Sequence, residues 1–313
     1  MTFTQLEYII AVDNTQHFAR AAALCYVTQP TLSMQIQKLE EELGVQLFDR
    51  SKQPVVATQA GTEIIAQARK IIAERDMIHE IVQVHKGILH GQLIIGIIPT
   101  LAPYLLPLFI PLFTKRYPSV KLVIHEFTTE AIIKRLKEGR LDVGLLVTPL
   151  QDAGIHEEPL FYEELVAYVA KNNAAYKKNY VLAKDIDPNK LWLLEEGHCF
   201  RSQIINLCEL HKSSKQTSQF DYEAGSIETL RRLVETNEGI TIIPELATLD
   251  MTGRQQNHLR YFKSPAPVRE VSLVTHRNYV KHRLVQALKE EILASVPSKI
   301  KKNKGREVVP VVS

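Results

Sequence analysis

Cys199 and Cys208 are the residues of this chain best suited to covalent chemistry. Gly197-His198 precede Cys199, Phe200-Arg201 follow it, and the two cysteines lie nine positions apart. The thiolate is the reactive form of cysteine, and a helix N-terminus or a nearby guanidinium favours it over the thiol. Cys25 brings the total to three, too few and too odd in number for a disulfide framework. The cysteines are therefore expected to be thiols, either buried and inert or, for one pair, a redox device. The histidines show no metal-ligand spacing with cysteine or carboxylates, so no metal site and no cofactor are expected. The chain also lacks a glycine-rich phosphate loop and a nucleophile elbow.

A second set of side chains suits nucleic acid. Thr28 is a good N-cap, Gln29 and Pro30 fall in the first turn that follows, and Leu32, Ile36, Leu39 and Leu43 face inward until Gly44 ends the helix. An alanine-rich helix from His17 to Leu24 and a short break at Tyr26-Val27 precede it, which is the helix-turn-helix shape. Thr28, Gln29, Pro30, Thr31 and Ser33 then lie at the start of a recognition helix, with Gln35 and Lys38 farther along. Hydroxyls and amides reach phosphates and base edges. A polar turn between two short apolar runs, Val45 to Phe48 and Val55 to Ala57, makes a wing, and its Arg50 and Lys52 can meet phosphate or the minor groove. Residues 1–58 nevertheless carry a net charge of −2. Phosphate affinity scales with neutralised charge, so useful binding is expected only from two or more linked copies.

The elements that position these groups follow from the pattern of the whole chain. With 313 residues, 45% hydrophobic and 23% charged, it suits two or three globular domains and is not a largely disordered chain. No apolar run reaches the ~18 residues of a membrane span. The opening Met1-Thr2-Phe3-Thr4-Gln5 has neither a basic region nor an apolar signal core, so the expected compartment is the cytoplasm. Net charge is +3, but the segment from Lys299 to Ser313 alone holds +4 and reads as a solvated, basic, flexible tail.

Thr58 can cap a long helix reaching about Lys86. Its Ile64, Ile65, Ala68, Ile71, Ile72, Ile78 and Val82 form one stripe, pointing to pairing with a second copy or to packing on its own domain. Beyond Gly87 the period changes. Strands are expected at Leu93 to Ile98, Lys121 to Phe127 and Leu141 to Val147, with helices at Leu101 to Arg116 and Thr129 to Glu138 between them. That alternation argues for a parallel sheet with crossover helices. A second run follows: strands at Leu165 to Ala170, Leu191 to Leu194, Phe220 to Ala224 and Ile240 to Ile243, with helices near Arg201 to His211 and Ser226 to Glu235. A strand at Val271 to Thr275 and a helix from Val280 to Ala294 are expected to return to the first sheet.

The run from Phe18 to Ser33, continuing through Gln35-Ile36-Gln37-Lys38-Leu39-Glu40, Leu43-Gly44-Val45, Leu47-Phe48-Asp49-Arg50 and Thr58-Gln59-Ala60-Gly61, resembles the signature of LysR-type transcriptional regulators. Ile97-Ile98-Pro99-Thr100, Pro103 to Pro107, Glu195 to Cys199, Arg201, Cys208 and Ser226 to Arg231 are similar to the peroxide-sensing branch of that family. The resemblance implies an all-α winged helix-turn-helix domain and a long linker helix. An α/β regulatory region of two periplasmic-binding-protein-like subdomains then follows. The expected boundaries are 1–58 for DNA binding, 59–87 for the dimerisation helix, 88–163 with 268–298 for subdomain I, 164–267 for subdomain II and 299–313 for the tail.

The same resemblance implies that Cys199 is oxidised by hydrogen peroxide and forms a disulfide with Cys208. Thr100, Thr129, His198 and Arg269 would then position the peroxide. Implied partners are a double-stranded DNA operator, a second copy as homodimer or homotetramer, a glutaredoxin- or thioredoxin-type reductant for reset, and RNA polymerase. The implied protein is not an enzyme. If Cys199 and Cys208 share one helix, they lie ~13.5 Å apart along its axis, whereas a disulfide needs Cα atoms within ~7 Å. The segment would therefore have to refold on oxidation. Two rival readings are a family member whose inter-subdomain cleft binds a small metabolite, and a thiol peroxidase.

Overall fold

The computed structural model describes residues 1–85, 89–150, 152–187, 190–195, 199–208, 224–277, 279, 281–300 and 307–309. It divides into two compact units, the first mainly residues 1–90 and the second mainly the rest of the chain.

The first unit opens with α1 (Phe3–Thr15), α2 (Phe18–Leu24) and α3 (Gln29–Leu43), followed by a wing of β1 (Phe48–Asp49) and β2 (Val56–Ala57). Local chemistry sets each boundary. The side chain of Thr2 caps α1 in a reciprocal box with Gln5, and His17 Nδ1 accepts from the Ala19 and Arg20 N–H groups at the start of α2. Thr28 caps α3, and Gly44 closes it in the left-handed region at φ 71°, where a Cβ would be strained. Ile9, Val12, Leu32, Ile36, Leu39 and Leu47 meet in the core.

Helix α4 (Gln59–His85) begins where Thr58 Oγ1 accepts the Gly61 N–H at 2.9 Å. The first half of its apolar stripe packs on the unit's own core: Ile65 and Ala68 are buried, and Ile64, Ile71 and Ile72 cover them. Farther along, Ile78 is 64% exposed, a large aliphatic on a face its own unit does not cover.

In the second unit, β3 (Gly91–Ile97), β4 (Val120–Glu126) and β5 (Val143–Thr148) are parallel, in the order β4-β3-β5. They are joined by α5 (Ala102–Arg116) and α6 (Thr129–Lys137). Helix α5 runs unbroken although Pro107 and Pro111 lie inside it. Each removes one backbone donor, but Leu105, Phe109 and Phe113 repeat every four residues and are all fully buried, which compensates. Helix α6 rests directly on the sheet through Ile132. A Cβ on Gly96 would approach Ile132 to 3.1 Å, and one on Gly144 to 2.7 Å.

The sheet is mixed rather than parallel. Strand β9 (Pro267–His276) adds antiparallel to β5, and β6 (Ile155–Val169) adds antiparallel to β9. The fifteen-residue β6 pairs with β9 through Glu164. From Leu165 on it pairs with β7 (Ile240–Pro244), and its outer part also with β8 (Leu259–Tyr261). Helices α7 (Cys199–Leu207), α8 (Ile227–Thr236) and α9 (Gly253–Gln256) occur along this second half, and α10 (His282–Ser295) follows β9. Leu191 and Leu194 make isolated bridges instead of the expected strand, and of the expected 220–224 strand only Ala224 is described.

One expectation is overturned at the end of the chain. Part of the tail read as flexible is a strand, β10 (Glu307–Val308), parallel to Pro267 and Val268 of β9. Ile300 is buried and Lys299 pairs with Glu245 at 3.0 Å. The charge count hid the apolar run Val308-Val309-Pro310-Val311-Val312, whose branched residues favour extended structure.

Candidate functional site

Helix α7 carries both candidate redox cysteines. Cys199 is its first residue, and Cys208 follows its last, with the Cys208 N–H donated to Ile204 O at 3.0 Å. At 1.5 Å per residue, the continuous helix holds the two positions ~13.5 Å apart, about twice the limit for a disulfide. The Cys208 thiol is half-buried against the core of this half of the unit, and desolvation pushes its pKa up to about 12. It is therefore held as a thiol. Arg201 donates to the Leu194 carbonyl at 2.6 Å. The side chain of Cys199 and residue His198 lie outside what is described.

Phe200, Gln203 and Ile204 form the fully buried face of α7. Against Phe200 lies the guanidinium of Arg269 on β9, 5.2 Å from the ring centroid and itself without exposed surface. Arg269 Nε donates to Glu163 Oε1 at 2.6 Å, and Nη2 lies 2.5 Å from the same oxygen. Glu163 and Arg269 face each other in the β6–β9 register, so strand pairing itself brings the two charges together. Burial pushes the Glu163 carboxyl above its ordinary range, opposed by Arg269 and by the Leu246 N–H. The fork of Arg269 continues to Thr100, with Nη1 to its Oγ1 at 3.2 Å and Nη2 to its carbonyl at 3.1 Å. Thr100 thus follows the carboxyl end of β3 with its hydroxyl held in place.

Thr129 follows the carboxyl end of the neighbouring β4, whose exit is tied to β3 by the Phe127 N–H to Ile97 O bond at 3.0 Å. Ligands of open α/β sheets bind at such strand ends. Thr129 Oγ1 is buried without a hydrogen-bond partner, and it is Thr128 that caps α6 by accepting from Ala131 N. Sequence reading missed Glu163, Phe200 and Gln203. The signal for Glu163 was its phase with Phe161, two residues earlier on one face of a strand.

In the first unit, Gln29, Pro30, Thr31 and Lys38 are exposed on α3, joined by Met34, which sequence reading passed over although it sits one turn beyond Pro30. Tyr26, in the left-handed region at φ 55°, is 96% exposed in the turn before α3. Thr28 and Thr31 share a hydroxyl–hydroxyl bond of 2.8 Å. Three other expected contact residues are engaged internally. Gln35 accepts from Gln5 Nε2 at 3.5 Å. Arg50 donates to Glu40 at 2.8 Å and to Ser33 Oγ at 3.2 Å while lying over the Phe18 ring. Arg50 therefore braces the wing against α3. Lys52 is exposed, 3.5 Å from Asp49. Cys25 is half-buried beside this core, and desolvation followed by the Glu7 charge raises its pKa.

A winged helix-turn-helix followed by a long helix and an α/β unit whose β6 pairs with two sets of strands defines a class of regulator with separate reading and sensing parts. Residues 3–62 match the family described as "Bacterial regulatory helix-turn-helix protein, lysR family", and residues 86–297 match "LysR substrate binding domain". The chain belongs to the LysR family. Among its relatives, the "Hydrogen peroxide-inducible genes activator" of Haemophilus influenzae is 35% identical over 274 residues, covering 88% of this chain and 90% of that protein. The "DNA-binding transcriptional dual regulator OxyR" of Escherichia coli K12 is 34% identical over 276 residues, covering 88% and 89%. A full-length OxyR variant from Pseudomonas aeruginosa superposes with a TM-score of 0.81 at 34% identity, covering 95% of this chain and 99% of that one. A Corynebacterium glutamicum OxyR variant solved with hydrogen peroxide bound gives 0.59 at 26% identity, covering 97% and 98%.

Proposed function

We propose that this chain is a DNA-binding transcriptional regulator that senses hydrogen peroxide through Cys199 and Cys208. The observation that carries the reading is the continuous helix α7, which sets the two cysteines too far apart to join without refolding. The relatives named for peroxide induction, and the relative solved with peroxide, support the choice of oxidant. The Cys199 thiolate attacks one peroxide oxygen. An S–O bond forms, the O–O bond breaks, and the departing hydroxide takes up a proton to become water. Thr100, Thr129 and His198 orient the peroxide, with the unpartnered Thr129 hydroxyl free to bond an oxygen. Arg269 acts by fixing Thr100 and by bracing Phe200, the residue that follows Cys199 in the chain.

Cys208 then attacks the sulfenic sulfur. Burial keeps its thiol protonated, so α7 must open both to bring the sulfurs together and to restore an ordinary thiol pKa. The refolded segment is the signal. It alters how the regulatory parts of a homodimer or homotetramer pack, and so the spacing of DNA-reading units on a double-stranded operator. In this scheme 1–58 reads DNA, 59–87 links copies, and 88–298 senses through the halves 88–163 with 268–298 and 164–267. Gln29, Pro30, Thr31, Met34 and Lys38 face the DNA. A glutaredoxin- or thioredoxin-type reductant resets the thiols, and RNA polymerase is the downstream partner.

The test is Cys199→Ser in the full chain. Thiol mass spectrometry after one equivalent of peroxide should find the 199–208 disulfide in the wild type and no oxidation of Cys208 in the variant, with footprinting on promoter DNA changing only for the wild type. A variant that still switches its footprint with peroxide would sink the proposal.

A further inference from the structure

The buried face of α7 rests in part on the far C-terminus of the chain. Val309 is 5% exposed and belongs to the same core cluster as Phe200 and Ile204. Its N–H donates to Val268 O at 2.8 Å, and its carbonyl accepts from Gln203 Nε2 at 2.8 Å. Immediately before it, Glu307 and Val308 form β10 on β9, ending one register position short of Arg269. Val268 already pairs with Glu164 of β6, so β10 occupies the other edge of β9. Three consecutive residues thus fasten the sheet that carries Arg269 to the middle of the helix that links the cysteines.

Gln203 is the only fully buried polar side chain described on α7, and its Oε1 has no partner. A buried, unsatisfied amide oxygen disfavours the docked helix and regains hydration when the helix opens. The bond from Nε2 to Val309 and the contact with the Val309 side chain work against that release. Opening α7 requires breaking both.

We propose that residues 307–309 form a strap that holds α7 in its helical, docked form, with Val309 and Gln203 acting as positioning residues for the disulfide-closing step. This rests on the redox reading above and adds a determinant of its rate. The affected step is attack of the Cys208 thiolate on the Cys199 sulfenic acid: the S–S bond forms, the S–O bond breaks, and hydroxide leaves to combine with the proton given up by Cys208. Peroxide, already consumed in forming the sulfenic acid, is the oxidant. Because the strap acts on helix opening, it should govern this second step and leave sulfenic acid formation nearly unaffected.

The experiment compares the full-length wild type with three variants: a chain ending at Arg306, Val309→Ala and Gln203→Glu, the last replacing the donor amide by an acceptor that opposes the Val309 carbonyl. After one equivalent of hydrogen peroxide, timed alkylation and mass spectrometry give two rates, one for sulfenic acid formation at Cys199 and one for 199–208 disulfide closure. Losing a buried branched side chain or its hydrogen bond should speed closure by about tenfold. Sulfenic acid formation should change by less than about twofold, within the scatter of substitutions away from the reacting groups. A general loosening of the fold would move both rates together and would overturn the assignment. So would closure at the wild-type rate in Val309→Ala and Gln203→Glu, which keep the test decisive if the shortened chain fails to fold. A wild type that never closes the disulfide would instead overturn the redox reading itself.

Discussion

Helix α3 runs fifteen residues between the Thr28 cap and the left-handed Gly44, whereas α7 runs nine residues, from Cys199 to Leu207, and ends just before Cys208. Every fully buried position of α3 is aliphatic: Leu32, Ile36 and Leu39. The buried face of α7 includes Gln203 with an unpaired oxygen. Helix α3 has an all-aliphatic buried face and keeps Gln29, Thr31 and Lys38 exposed. Helix α7 holds its shape with one buried amide oxygen unpaired, a cost that the proposed opening would relieve. Segments that switch are drawn from the low-stability end of a fold, and the unpaired Gln203 oxygen is the kind of side-chain feature that the proposed switch would use.

The largest effect that tests this contrast is expected at Arg269. Its guanidinium neutralises Glu163, holds Thr100 and lies against Phe200 of α7. Arg269→Ala leaves a buried carboxylate without its partner, which costs about 3–5 kcal/mol. Glu163→Gln in the same background removes the orphaned charge and should recover much of that loss. Thermal unfolding of the single and double variants measures both. If the two substitutions are simply additive, Glu163 and Arg269 do not act as the unit described here.

A smaller effect separates the thiols by pH. The Cys208 pKa is raised in the docked state to about 12, so that state binds the proton more tightly than an open chain does. The stabilisation is then fully present below the ordinary thiol range near ~8.5 and is lost as pH rises through that range towards the docked value. Wild type and Cys208→Ala should therefore differ by a constant amount in unfolding midpoint up to about pH 8.5. Above it, the wild type should fall relative to the variant. Taking the difference cancels the buried tyrosines common to both chains. A gap that stays constant to pH 10.5 would mean that the Cys208 environment is wetter than its burial indicates.

Much of this contrast is legible in the sequence for α3 and little of it for α7. Caps, a proline in the first turn and a period of three to four are local signals, so Thr28, Pro30, Leu32, Ile36 and Gly44 announce both ends and the inner face of α3. The determinants of α7 are distant along the chain. Glu163 meets Arg269 across 106 positions, and Gln203 meets Val309 across the same separation. No local period reports such pairings. The tail illustrates a second reason: its lysines dominate the charge count, while the burial of Val309 depends on a free edge of β9 that only the folded sheet provides. The mixed sheet was hidden for the same cause, since β6 crosses between two sets of partners within one fifteen-residue strand.

The smallest expected effect falls on the rigid helix. Thr28 Oγ1 accepts the Thr31 N–H at 3.4 Å and is hydrogen-bonded to the Thr31 hydroxyl at 2.8 Å, at the start of the helix proposed to read DNA. If Thr28 also meets phosphate, capping and recognition fall on one side chain, and two substitutions take them apart. Thr28→Ala loses the cap and should cost the first unit about 1 kcal/mol. Thr28→Asp caps as well as threonine does and should unfold near the wild-type midpoint, yet its carboxylate repels phosphate. DNA titration at fixed salt should then weaken modestly for the alanine variant and much more for the aspartate variant. If both variants bind in proportion to their stability alone, Thr28 faces no phosphate, and the reading face of α3 begins no earlier than Gln29.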